Sequence, residues 1–119
     1  MSTERTVRGM VLRIQALVRD TENLDPAQAR TLLSQLSALM GNCNDQIRLC
    51  DAAYAVKLLE CLDTEAKANR AKIRAETSDE YRQKQEARHT KELVVEMIAS
   101  LKYLLRSHTE EMRLGGGGH

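Results

Sequence analysis

The sequence predicts an all-α fold, and three features of its 119 residues carry that expectation. There is no Phe, no Trp and only three Tyr. Outside a C-terminal glycine run, the chain holds only Gly9, Gly41 and the single Pro26 as turn formers. Sheet proteins draw on aromatic and β-branched residues and need turn residues every few positions. Here the apolar residues instead recur at steps of three and four, the spacing of one helix face.

The first helix is expected from about Thr3 to Asp20, with Val7, Met10, Val11, Ile14, Leu17 and Val18 on one stripe. Gly9 weakens it slightly. Thr21 to Asp25 reads as a linker. Asp25-Pro26-Ala27-Gln28 is a helix start: Asp25 caps, Pro26 suits the first turn, and Gln28 completes a capping box. The second helix then carries Leu32, Leu33, Leu36, Leu39 and Met40 on one side. At Gly41 two readings stand. Gly41 ends a helix as a left-handed cap, or the helix continues through it, straight or slightly bent. Leu36, Met40, Cys43, Ile47, Cys50, Tyr54, Leu58 and Cys61 keep one register across the glycine.

From Thr64 to Glu76 the chain is TEAKANRAKIRAE, a helix former with Ile73 as its one large apolar residue. Thr77-Ser78-Asp79-Glu80 then supplies a hydroxyl cap followed by two acids that the helix dipole favours. A tight turn is expected near Glu76–Ser78. The third helix runs from about Asp79 to Arg113, with Val94, Ile98, Leu101, Leu105, His108 and Met112 forming a coiled-coil-like seam. Residues 115–119, GGGGH, read as a flexible linker with a tag remnant, leaving 1–114 as a single helical domain.

The second and third helices therefore form a long antiparallel hairpin with a short N-terminal helix beside it. A turn at Thr77 sets Cys61 near Leu93 and Val94, Tyr54 near Leu101, and Ile47 near His108. The second helix then overhangs the third. Two helices bury too little to offset the entropy of ordering the chain. The expectation is a bundle completed by self-association, as a dimer or higher, through Leu32, Leu33, Leu36, Leu39, Met97 and Leu104. A break at Gly41 would instead allow a compact four-helix bundle.

Chemistry has little to work with. Cys43, Cys50 and Cys61 share a face, but steps of seven and eleven residues hold their sulfurs more than about 10 Å apart, too far for one metal or an intrachain disulfide. They read as small buried hydrophobes. His108 reads as a core or interface histidine and His89 as exposed. Glu65, Glu76, Glu86, Glu92 and Glu96 read as solvated or ion-paired. No phosphate loop, dinucleotide fingerprint or metalloprotease motif occurs. The expectation is no enzyme activity, no metal and no cofactor. Net charge is +1, which excludes a dominant polyanion-binding character. Between Lys67 and Lys91, however, eight basic residues face four acidic ones. Lys67, Arg70, Lys72, Arg74, Arg82, Lys84 and Arg88 are the candidate contacts for nucleic acid or an acidic partner. The N-terminus MSTERTVRGM has no apolar run of the secretory kind, no stretch approaches the roughly 18 residues of a membrane span, and the cysteine count is odd. A cytoplasmic protein with free thiols and no membrane contact is expected.

The stretch AKANRAKIRAETSDEYRQKQEARHTKELVVEMIASLKYLLRSHTEEMR, somewhat under half the chain, resembles small helical proteins encoded by phages and prophages. The Ala-spaced basic helix, the TSDEY restart and the LKYLLR seam carry the resemblance. It implies an accessory protein: a recombination helper, a structural piece, or a modulator of a host enzyme or defence system. It carries over no functional residue. The leading expectation is a self-associating, non-enzymatic interaction protein that binds another protein. The alternative is a nucleic-acid accessory protein using the basic tip. A binder of a small anionic ligand at an oligomer interface ranks third.

Overall fold

A computed structural model describes residues 6–20 and 24–117, with side chains to Leu114. Among these residues every regular element is helical: α1 (Val7–Arg19), α2 (Pro26–Thr64), α3 (Ala68–Glu76) and α4 (Asp79–Gly117). The molecule is a rod of 78 × 29 × 20 Å.

Local signals set most of the helix starts. Thr6 is extended and its hydroxyl accepts the Gly9 N–H at 2.9 Å, which starts α1. The expected earlier start, over residues 3–5, lies outside the described residues. At α2 the Asp25 carboxylate accepts the Gln28 N–H at 2.8 Å, and the Gln28 side chain accepts the Asp25 N–H at 3.0 Å. This is the capping box, worth about 1 kcal/mol. The helix then runs for 39 residues, roughly 60 Å, straight through Gly41. No glycine among the described residues has a positive φ, so Gly41 is not a left-handed cap.

The chain reverses at Glu65–Lys67 and not near Thr77. The Thr64 hydroxyl donates back to the carbonyls of Glu60 and Cys61 at 3.1 and 3.3 Å, and Glu65 and Lys67 are extended. α3 then folds back along α2. Its Ala71 and Ala75 pack on Cys61, beside Tyr54 and Leu58. Arg74 closes the end by donating to Thr64 at 3.0 Å and Glu65 at 3.4 Å. No Gly or Pro marks this turn; alanines small enough for close approach to Cys61 decide it. At Ser78 the chain only steps aside. The Ser78 hydroxyl accepts the Tyr81 N–H, Asp79 and Glu80 occupy the first turn, and α4 continues along α2 in the direction of α3. Tyr81 meets Tyr54 with ring centroids 5.4 Å apart, and Arg88 donates to Asp51 at 2.8 Å.

The earlier reversal corrects the expected pairings. Cys61 meets Ala71 and Ala75 instead of Leu93 and Val94. His108 shares a cleft with Pro26, Arg30 and Met112 instead of facing Ile47. α4 reaches the start of α2, so no overhang remains. At that end α1 lies on both long helices. Val11, Ile14 and Val18 join Leu32, Leu36, Leu39, Cys43, Val94, Met97 and Leu101 in one core. Four residues expected to need a second chain (Leu32, Leu36, Leu39 and Met97) are therefore buried within this one. Leu33 and Leu104, the other two, are half-buried against the same core. Leu17 leaves the expected α1 stripe and is exposed, because α1 needs only the arc that touches α2 and α4. At the C-terminus the backbone of α4 is helical to Gly117.

Candidate functional site

The second half of α2 departs from ordinary amphipathic patterning. From Leu49 to Leu62 it reads LCDAAYAVKLLECL, with Asp51, Lys57 and Glu60 as its only charges. One side, Cys50, Tyr54, Leu58 and Cys61, faces α3 and α4. The opposite side carries Leu49, Ala52, Val56 and Leu59 at steps of three, four and three. Leu49 is 62% exposed, Val56 57%, Leu59 62% and the neighbouring Leu62 44%. Ala52, Ala53 and Ala55, exposed between them, leave the middle of this face low. α1 covers the other half of the rod and does not extend here. A helix apolar on two opposite sides calls for a neighbour on each.

The charges bordering this face are largely committed within the chain. The second Asp51 oxygen takes the Arg88 hydrogen bond, while its first is buried without a partner among the described residues. Lys57 lies 4.0 Å from Glu60, and Arg48 holds Asp45 at 3.1 Å. Asp63, at the far end, is exposed and has no ion-pair partner among the described residues.

The basic tip is more neutralised than its sequence suggests. Arg74 is paired with Glu65, Arg82 bridges Asp79 and Glu86, and Arg88 is paired with Asp51. The Lys84 ammonium sits 4.5 Å above the Tyr54 ring. Burial pushes the Tyr54 phenol pKa up, and the Glu76 carboxylate adds to the effect. Lys67, Arg70 and Lys72 are exposed and unpaired among the described residues, so three of the seven candidate cations have no ion-pair partner there.

The three cysteines are buried and free. Cys43 and Cys50 line a cleft of about 550 Å³ at the N-terminal end of α1, with Val7, Leu12 and Ala87. Arg8 closes one rim through Glu86 at 3.0 Å and Thr90 at 3.0 Å. Burial pushes the Cys43 thiol pKa up, partly countered by Lys91, so it stays protonated and a poor nucleophile. His89 lies 3.4 Å from Arg8, outside the cleft lining. No group of three or more His, Cys, Asp or Glu among the described residues is placed to hold a metal. No helix among them is long and apolar enough to cross a membrane.

The outer α2 face is not among the residues expected from the sequence, where the stripe through Leu36 and Cys61 is the dominant apolar signal. A second seam, Leu49–Ala52–Val56–Leu59, was available at the same spacing on the other side. No known family, no curated protein and no solved structure matches the chain.

Proposed function

We propose that this is a non-enzymatic helical interaction protein that self-associates through the outer face of α2 and in that form binds another protein, in the cytoplasm. The observation that carries the reading is the exposure of Leu49, Val56 and Leu59 on a helix whose other side is already occupied. The alanines between them let a second helix approach closely, so the leucines at either end can be covered together. This replaces Leu32, Leu36, Leu39 and Met97 as the associating surface.

Light scattering over a concentration series tests the reading. The native chain is expected to gain mass with concentration into the micromolar range. Val56→Glu, at a position already facing water, is expected to remain monomeric with unchanged helix content. A native chain that stays monomeric throughout would remove the proposal. Nucleic-acid binding is the second reading, and it rests on Lys67, Arg70 and Lys72 alone. Retardation of a DNA duplex that is lost when these three become Glu, and weakens with salt, would favour it.

A further inference from the structure

The two ends of the outer α2 face carry opposite charges on one side of the helix. Arg48 stands at the start and Asp63 at the finish, with Ala52, Val56 and Leu59 between them. Both charged residues are exposed. Arg48 spends one terminal nitrogen on Asp45, an exposed contact of 3.1 Å, and its guanidinium keeps further donors for a second carboxylate. Asp63 has no partner among the described residues. Fifteen residues, roughly 22 Å of helix, separate them.

We infer that the occupant of this face is a second copy of the chain, docked antiparallel about a two-fold axis between Ala55 and Val56. This rests on the self-association reading above. In that arrangement Arg48 of each copy meets Asp63 of the other, so both ends of the contact close with an ion pair. The apolar residues match in size as well. Leu49 lies against Leu62 of the second copy, while Ala52 lies against its Leu59 and Ala55 against its Val56, so the two central large side chains fall on small ones and a leucine pair closes each end. A parallel docking instead sets Arg48 on Arg48 and Asp63 on Asp63, like charge against like. It also stacks leucine on leucine and leaves alanine facing alanine. A two-fold contact of this kind is closed, so association stops at the dimer.

Charge reversal tests the orientation, with the dimer dissociation constant read by sedimentation equilibrium and folding checked by circular dichroism. Arg48→Asp and Asp63→Arg each place like charges at both ends of the antiparallel contact. Each is expected to weaken the dimer about tenfold or more. The double variant R48D/D63R restores opposite charges and is expected to recover to within about threefold of the native constant. Single reversals that leave the constant unchanged are the parallel result and overturn the inference, as does a double variant no better than the singles. Val56→Glu separates the two levels: if it abolishes the dimer while the single reversals do nothing, the face is right and the orientation wrong. If the dimer survives Val56→Glu, the face itself is wrong and both readings fall.

Discussion

Leu36 has no exposed surface and belongs to the core where α1 meets the two long helices. Replacing it by Ala removes three buried carbons and leaves a cavity, at a cost of about 2–5 kcal/mol. A loss of unfolding free energy of that size, read from urea denaturation, is expected. Cys43, in the same core, predicts a pH dependence. Its thiol pKa is raised by burial. The folded state therefore keeps its proton where the unfolded chain releases one, so stability is intact below the ordinary thiol pKa of about 8.5 and falls as pH rises beyond it. Urea midpoints measured at pH 7 and above pH 9 should diverge more for the native chain than for Cys43→Ala. The residue-level sequence reading worked where one side chain's role follows from helical spacing. Steps of seven and eleven residues placed Cys43, Cys50 and Cys61 on one face, and all three are buried. The basic tip was less legible, because Asp51 lies 37 residues from the Arg88 it holds, and Glu65 meets Arg74 only because the chain reverses between them.

At the scale of the helices, local signals left two places for packing to decide. Gly41 left a break and a continuous helix both open, and α2 passes through it; the hydroxyl and acids of Thr77–Glu80 pointed to a reversal there, yet the chain reverses at Glu65–Lys67. Packing outweighs local propensity at both. Leu39 and Cys43 lie in the core on either side of Gly41 and keep the helix in register, while Ala71 and Ala75 gain contact with Cys61 only if the chain turns early. The start signals, by contrast, needed no tertiary information: the Asp25 capping box and the acids after Ser78 both begin helices. A continuous α2 predicts the effect of Gly41→Ala. A Cβ built there meets nothing within 4 Å, so the substitution should stabilise the protein by about 0.5–1 kcal/mol through the helix propensity of alanine. A left-handed cap at Gly41 would give destabilisation instead. α1 is equally testable. Without it, Leu32, Leu36 and Leu39 lose their cover, and a chain starting at residue 24 is expected to lose cooperative urea unfolding.

For the whole molecule, the rod divides into a half that is complete and a half that is not. Around Leu36 and Leu101, α1 makes the bundle three helices thick and buries Leu32, Leu36, Leu39 and Leu101 between the helices, leaving Leu12 and Leu17 exposed on the outside of α1. Around Val56 the rod is two helices thick, and the apolar surplus faces outward. That a surplus exists was legible in the sequence, because two helices cannot hide so many leucines. Its location was not, since it depends on where the chain reverses and hence on how far α4 reaches. The most direct test is a crossed comparison of Leu36→Ala and Leu59→Glu, each measured for urea stability and for mass by sedimentation equilibrium. The expected result is separation. Leu36→Ala loses stability and, at concentrations where it stays folded, still dimerises; Leu59→Glu keeps its stability as a monomer and no longer dimerises. A Leu59→Glu variant that associates like the native chain would contradict the division of the rod into an inner, self-sufficient core and an outer, partner-seeking face.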